Sequence, residues 1–256
     1  SNSAYNGSSS NYVTWNWLAA NGTASNSDGS ITSTVSANTT AGFSIVSYQG
    51  SGSNATIGHG LGVAPKMIII KDRGDTSAWI VYHEGVGNGN LLVLSSDQAA
   101  SSTTNFQSTS PTSSVFSISG GGAVGGSSSP YIAYCFADIE GYSKIGRYTG
   151  NADASGAFDG TFVYTGFRPA WLMWKRTNDT NQWVMHDATR NPNNPTNQVM
   201  YANLTQADGT SDGIITDLLS NGFKLRTGTN GNANNDSSSY MYLAFAEMPF
   251  KYANAR

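Results

Sequence analysis

Residues 63–72 read V-A-P-K-M-I-I-I-K-D, and residues 167–176 read F-R-P-A-W-L-M-W-K-R. In each segment a proline is followed by a run of four apolar residues that ends directly before a lysine, Lys71 or Lys175. Continuously apolar runs are typical of a central strand that is covered on both faces. The two segments therefore predict buried central strands at equivalent places in two copies of one fold.

The repetition extends to both sides of these segments. Upstream, G-F-S-I-V-S-Y-Q-G at residues 42–50 matches K-I-G-R-Y-T-G at residues 144–150. Downstream, A-W-I-V-Y-H-E at residues 78–84 matches Q-W-V-M-H-D at residues 182–187. Self-similarity at a fixed spacing, here about a hundred residues, is the signature of a module used in tandem. We predict an all-β chain of two tandem β-sandwich-like modules related by internal duplication.

The repeat also sets the predicted boundaries. We assign residues 41–143 to the first module and residues 144–256 to the second. The segment N-Y-V-T-W-N-W-L-A at residues 11–19 resembles the apolar runs that close both modules, Y-I-A-Y-C-F-A and Y-M-Y-L-A-F-A. Residues 21–40 are rich in Ser, Thr, Asn and Gly, as linkers are. We therefore interpret residues 1–40 as the end of a preceding module plus a polar linker.

Strand signals dominate the remaining sequence, because β-branched and aromatic runs alternate with Gly, Ser, Asn and Pro clusters. No stretch of ten or more residues has convincing helical periodicity. Ile214–Leu219 is the best short helical candidate, since Asp212 could cap it and Gly222 could end it.

The bulk composition argues against two classes of partner. Only 11% of the residues are charged, and the net charge is -3. Nucleic-acid binding depends on Lys and Arg set against phosphates, and attachment to anionic membranes depends on basic clusters. No apolar run reaches the roughly eighteen residues that a spanning helix needs. We expect neither nucleic-acid binding nor membrane insertion.

Few residues offer metal or redox chemistry. The single cysteine, Cys135, lies in an apolar run, and a lone Cys can form neither an intrachain disulfide nor a Cys-based zinc site. His59 is flanked by glycines in G-H-G-L-G-V-A-P and could be a ligand or a base. The second module lacks a histidine there, and the motifs H-x-H and H-E-x-x-H are absent. We predict a buried Cys135, no metal site and no cofactor.

Two sets of residues could support catalysis. His83 and Asp187 occupy equivalent positions and could form a pair across the modules, although we favour two polar groups at the solvent end of a strand. Asp138, Glu140 and Glu247 suggest glycan cleavage, which commonly uses two carboxylates flanking the bond. Asp138 and Glu247 both follow F-A in their modules, so a structural role is the simpler interpretation, such as pairing with Lys71 or Lys175. We predict that the chain is not an enzyme.

Aromatic residues are the remaining candidates for binding. Trp79 and Trp183 are repeated and lie in predicted strands, so we assign both to the core. Tyr164, Phe167 and Arg168 lie in Y-T-G-F-R-P, where the first module has G-L-G-V-A-P instead. This departure from the repeat makes these three residues the predicted contact surface for a glycan or a protein partner.

The quoted strings, extended upstream by G-S-I-T-S-T-V-S-A-N-T-T-A from Gly29, resemble a domain recurrent in predicted tail-fibre and appendage proteins of marine bacteriophages. The resemblance runs from Gly29 to Arg256 and carries no agreed catalytic residues. It implies an extracellular location on a virion and a non-enzymatic structural or adhesive role.

The partners expected with that role are other virion proteins, a host surface glycan and further copies of the chain, with a trimer expected by analogy with other fibres. One alternative is a carbohydrate-binding adhesin module of an extracellular filament. A polysaccharide depolymerase is the third and least favoured alternative.

Overall fold

The computed structural model describes residues 7–152, 159–210 and 212–247. All regular elements among these residues are strands, which confirms the predicted all-β fold class. The described residues contain no helix that is long and apolar enough to cross a membrane.

The first sandwich contains ten strands in two sheets, and its first two strands lie upstream of the predicted module boundary at residue 41. The large sheet has the order β1-β2-β3-β10-β5-β6-β7-β8, and the small sheet pairs β4 with β9. The strands are β1 (Ala24–Asn26), β2 (Ser33–Asn38), β3 (Phe43–Gln49), β4 (Ala55–Gly58), β5 (Met67–Asp72), β6 (Ile80–His83), β7 (Asn90–Val93), β8 (Ser101–Ser102), β9 (Val115–Ile118) and β10 (Pro130–Phe136).

The described residues of the second module contain eight strands in two sheets. Its large sheet has the order β11-β18-β13-β14-β15, and its small sheet has the order β12-β17-β16. The strands are β11 (Ser143–Thr149), β12 (Phe162–Tyr164), β13 (Trp171–Arg176), β14 (Trp183–Asp187), β15 (Met200–Tyr201), β16 (Thr216–Leu219), β17 (Gly222–Leu225) and β18 (Ser239–Phe245).

The two modules share topology and register. In the first, β10 lies between β3 and β5, and Phe136 pairs with Phe43 on one side and Met67 on the other. In the second, β18 lies between β11 and β13, and Phe245 pairs with Ser143 and Trp171. The small sheets correspond as well, because β4 pairs with β9 as β12 pairs with β17. The repeat seen in the sequence is thus a repeat of strand order and pairing.

Each central strand is buried on both faces. Ile68 and Ile70 of β5 point into the core of the first sandwich, and Met67 and Ile69 point the other way. Those outward residues meet residues of the second large sheet, so the two large sheets pack face to face through what we call the inter-module core. It contains Phe43, Met67, Ile69, Val81, Leu92, Phe136, Ile145, Trp171, Met173, Trp183, Met185, Met241, Leu243 and Phe245.

Hydrogen bonds at one edge of this interface reinforce the packing. The indole N–H of Trp183 donates to the backbone oxygens of Val93 (2.9 Å) and Ser96 (3.1 Å) in the first module. The Asn181 N–H donates to the Asp97 carbonyl, and the Ala100 N–H donates to the Thr177 carbonyl. The two sandwiches therefore form one continuous packed unit.

The connector between the modules is short and heavily bonded. Residues 137–142 join β10 to β11, and Ser143 Oγ donates to the Ala137 carbonyl within this turn. The Asp138 carboxylate accepts a hydrogen bond from the Ile145 N–H at 2.7 Å and forms ion pairs with Lys66 and Lys144. These contacts fix the direction in which the chain enters the second module.

Two predictions about the N-terminal region are corrected. The predicted linker contains strands β1 and β2, and β2 continues the first large sheet by pairing with β3. Its polar sequence hides this role, because strand pairing uses backbone groups and the buried face carries Ser33 beside the apolar Val35. Residues 11–19 form no strand; instead Trp15 and Trp17 pack against the inter-module core. We call residues 7–20 the N-terminal strap.

The helical interpretation of Ile214–Leu219 is also wrong. Residues 216–219 form β16, in which Thr216 and Leu218 point inward while Asp217 and Leu219 point outward. This alternation has the period of a strand. Pairing of β16 with β17 overrides the local propensity for a helix.

Truncating the tryptophan at the module interface should destabilise the whole chain. Trp183 is fully buried, so Trp183→Ala removes a large apolar volume together with two inter-module hydrogen bonds. We expect a loss of about 3–5 kcal/mol in the free energy of unfolding, measured by urea denaturation with far-UV circular dichroism. Trp79→Ala is the matched control, because Trp79 holds the equivalent position but is only partly buried. Equal costs for the two variants would contradict the assigned role of Trp183.

Candidate functional site

The second small sheet exposes aromatic side chains. Along β12, Phe162 and Tyr164 point outward with 43% and 65% of their surfaces exposed, while Val163 between them is buried in the core. Side chains alternate between the two faces of a strand, so the sequence F-V-Y places both aromatic rings on one side. Single exposed apolar residues are normal on a protein surface, whereas neighbouring ones that form a patch mark a candidate binding site.

Charged side chains continue this face across the neighbouring strands. Lys224 of β17 lies opposite Phe162, and Asp217 of β16 lies opposite Lys224. Arg226 contacts the Asp217 carboxylate, with 3.5 Å between its Nε and Oδ2. We call Phe162, Tyr164, Lys224, Asp217 and Arg226 the aromatic–polar face.

A shallow pocket lies at the charged end of the aromatic–polar face. Its volume is about 360 Å³, and its walls include Asp217, Arg226, Ile215, Asn194 and Pro195. The Asn194 side chain is held by the backbone of Leu218, donating to its carbonyl at 3.0 Å and accepting from its N–H at 2.9 Å. The pocket wall is thereby fixed to the edge of β16, while the Asp217–Arg226 pair supplies hydrogen-bonding groups of both kinds.

The first module lacks this arrangement. The positions equivalent to Phe162 and Tyr164 are Thr56 and Gly58. Ser30 and Thr56 exchange two hydrogen bonds of 2.9 Å, and a Cβ on Gly58 would lie 1.7 Å from the Asn26 Oδ1 atom. Chain from the N-terminal side therefore lies over the surface that stays open in the second module. Such an asymmetry between copies is what a site gained by one copy would produce.

Only part of the predicted contact surface lies on this face. Tyr164 belongs to it, but Phe167 is 4% exposed and packs in the core of the second sandwich, so its assignment to a surface is wrong. Arg168 is not among the outward residues of β12; its Nε donates to the Leu218 carbonyl, which also accepts from the Asn194 side chain of the pocket wall. The sequence analysis missed Phe162 and the charged members of the face. The alternation F-V-Y could have predicted that Phe162 lies on the same face as Tyr164.

The three histidines are buried and have structural surroundings. His59 Nδ1 accepts from the Leu61 N–H, and burial lowers the pKa of His59. His83 Nδ1 accepts from the Gly85 N–H, which leaves Nε2 to donate to the Tyr242 carbonyl of the other module at 3.4 Å. No group of three or more His, Cys, Asp or Glu residues within the described ranges could hold a metal.

The interpretation of His83 and Asp187 as solvent-facing strand ends is corrected. They are only 1% and 3% exposed. The Asp187 carboxylate accepts from the backbone N–H groups of Thr189 and Arg190 and pairs with the Arg190 guanidinium. Each residue therefore has hydrogen-bond partners of its own.

The candidate carboxylates have different surroundings. Asp138 is bonded to Lys66, Lys144 and the Ile145 N–H in the connector, and Glu247 is exposed after β18. The predicted pairing with the repeated lysines is wrong. Lys71 Nζ donates to the Asp72 and Asp75 carbonyls. Lys175 Nζ donates to the equivalent carbonyls of Arg176 and Asp179, so both lysines bind the loop that follows their own strand.

Burial of His186 should make stability depend on pH. Burial, reinforced by the nearby Arg190, lowers the pKa of His186 to about 3, and both ring nitrogens are buried without a partner among the described residues. Unfolding restores a pKa of about 6.5, so the unfolded chain binds more protons and stability falls as the pH drops below 6.5. We expect His186→Phe to reduce the loss of stability between pH 7 and pH 5 by about 2 kcal/mol.

This prediction is measured by urea denaturation of both proteins at several pH values. His83→Phe is an informative comparison, because burial lowers the pKa of His83 to about 4 but its ring has hydrogen-bond partners. We expect His83→Phe to cost stability at pH 7, whereas His186→Phe should not. If the free energy of unfolding of His186→Phe depends on pH as that of the unmodified chain does, His186 is not the cause of the pH dependence.

The family is given by comparison with known proteins. Comparison with curated proteins gives no match, and comparison with solved structures gives none either. A family described as "Domain of unknown function (DUF7483)" matches residues 1–249, which include the N-terminal strap, both sandwiches and the aromatic–polar face. The chain therefore belongs to the DUF7483 family.

Proposed function

We propose that this chain is a non-enzymatic structural and adhesive component of a tail fibre or similar virion appendage, and that it contacts host surface glycans through the aromatic–polar face. The extracellular setting rests on the resemblance of its repeated strings to appendage proteins of marine bacteriophages. The adhesive role rests on one structural observation: Phe162 and Tyr164 are exposed side by side where the first module has Thr56 and Gly58.

The chemistry of the face suits a sugar. An aromatic ring is a flat apolar surface, and Tyr adds a hydroxyl that can form hydrogen bonds. The C–H face of a pyranose packs on such a ring, while its hydroxyls need donors and acceptors. Arg226 and Asp217 provide these groups across the same sheet, next to the 360 Å³ pocket. Their mutual neutralisation fits an uncharged or weakly charged glycan.

The structural role rests on the inter-module core. A unit in which two sandwiches share a continuous apolar interface transmits shape from one module to the next. Low affinity at a single face would be sufficient in a fibre, because several copies bound to one surface gain from effective concentration. By analogy with other fibres, we expect the chain to form a homotrimer and to bind other virion proteins.

Glycan binding should depend on Tyr164. We expect the purified chain to bind a subset of bacterial surface polysaccharides on a glycan array, and Tyr164→Ala to weaken that binding at least tenfold because the exposed ring is lost. Leu204→Ala is the matched control, since Leu204 is another exposed large apolar residue, 40% exposed, in the second module. No binding across the array, or equal losses for the two variants, would contradict the adhesive role.

Assembly is tested separately. We expect sedimentation equilibrium at micromolar concentration to give three times the 27.0 kDa mass of the chain. A stable monomer that still binds glycan through Tyr164 would support the alternative of a carbohydrate-binding adhesin module on an extracellular filament. A stable monomer without glycan binding would contradict both functions.

A further inference from the structure

A small polar pocket, which we call the junction pocket, lies where the two modules meet. Its wall includes Val86 and Asn90 of the first module, and Arg147, Thr177 and Ser239 of the second. Its volume is about 210 Å³. Pockets that enclose a whole small ligand usually measure about 300–1,000 Å³. The junction pocket therefore suits one substituent of a larger molecule that lies over the surface.

Arg147 supplies the positive charge of the junction pocket. Its side chain is exposed and has no hydrogen-bond or ion-pair partner among the residues that the structure describes. A Cβ added to Gly85 would lie 3.3 Å from the Arg147 Cβ, so the base of the arginine side chain packs against a turn of the first module. The equivalent residue of the first module is Ser47, since Tyr48 and Tyr148 occupy matching positions in the strand registers. The cation is thus a second departure of one copy from the other.

The positive charge of Arg147 is not compensated within the junction pocket. The residues that form the pocket wall include no Asp or Glu. Glu84, in the turn that borders the pocket, has the Lys66 Nζ atom 3.2 Å from its Oε2 atom. Asp138 forms ion pairs with Lys66 and Lys144. An anionic group that entered the pocket would therefore meet a free guanidinium, and no carboxylate of the wall would repel it.

Hydroxyl and amide groups stand beside the arginine. Asn90 Nδ2 donates to the Val86 carbonyl at 3.1 Å, which leaves the side-chain oxygen of Asn90 to accept a hydrogen bond. Thr177 Oγ1 donates to the Ser239 carbonyl at 3.1 Å, and its lone pairs can accept in turn. A carboxylate on a sugar ring is flanked by hydroxyls, and these acceptors match such hydroxyls.

We propose that the junction pocket binds the carboxylate of an acidic sugar within a polysaccharide, with the Arg147 guanidinium donating two parallel hydrogen bonds to its oxygens. The planar guanidinium fits a carboxylate in this bidentate geometry. That the carboxylate belongs to a polysaccharide rests on the function proposed above, whereas the preference for an anion rests on the pocket. The junction pocket shares no residue with the aromatic–polar face.

Isothermal titration calorimetry with tetragalacturonate at pH 7 and low ionic strength tests the ligand class. The net charge of the chain is -3, so overall attraction does not favour this anion and binding has to come from a local site. We expect one molecule to bind per chain. The neutral methyl ester should bind at least tenfold more weakly, because it brings no charge to Arg147. Equal binding of the ester would overturn the proposal, and equal binding of tetraglutamate would overturn the assignment to a sugar.

Two matched variants test the position. Arg147→Gln should weaken tetragalacturonate binding at least tenfold, because the bidentate donor and its charge are lost. Arg73→Gln is the control, since Arg73 is also exposed, has no partner among the described residues and lies outside the pocket wall. The same change of charge there should leave binding unchanged. Equal losses for the two variants would show that overall charge attracts the ligand, and would overturn the proposal.

The glycan array described above separates this inference from the proposed function. Tyr164-dependent binding on the array, without Arg147-dependent binding of tetragalacturonate, would overturn the junction pocket alone. Arg147-dependent binding of tetragalacturonate, without Tyr164-dependent binding on the array, would support the junction pocket and contradict the role of the aromatic–polar face.

Discussion

The structure depends on burying both faces of the large sheets. In an isolated sandwich of this kind, Met67 and Ile69 on one strand, and Trp171 and Met173 on its equivalent, would be exposed to water. Burying each such side chain contributes about 1.5–3 kcal/mol to the free energy of unfolding. Separating the modules would lose this contribution for several side chains at once. The duplication is therefore more than two units in series, because each copy supplies the cover that the other requires.

The repeated sequence predicted the class of fold, and the reason is physical. Runs such as M-I-I-I and W-L-M-W have no polar face, which is typical of strands covered on both sides. The sequence could not show that the neighbouring module covers the second face of each sheet. An apolar run indicates that a face is buried, but not which part of the protein buries it. Strands β1 and β2 were missed for the opposite reason: they are held to the sheet by backbone pairing, and their side chains are mostly polar.

The candidate site was predicted only in part. Comparing the copies directed attention to Y-T-G-F-R-P, where the second module departs from the first. That comparison could not separate Tyr164, which points outward, from Phe167, which the chain turns into the core. The charged residues of the aromatic–polar face lie in or next to β16 and β17, about fifty to sixty residues further along the chain than Tyr164. The pairing of strands distant in sequence brings these residues to one face, and the local sequence pattern does not predict which distant strands pair.

The bonded connector around Asp138 has a consequence for any larger assembly. Because residues 137–142 are fixed to both sandwiches, the second module has little freedom to swing about the first. A stack of such units would carry Tyr164 at a constant angle and height on every copy. The number of contacts formed would then depend on how well the spacing of receptors on the opposing surface matches the spacing of the Tyr164 copies. A receptor layer with a different spacing would form fewer contacts.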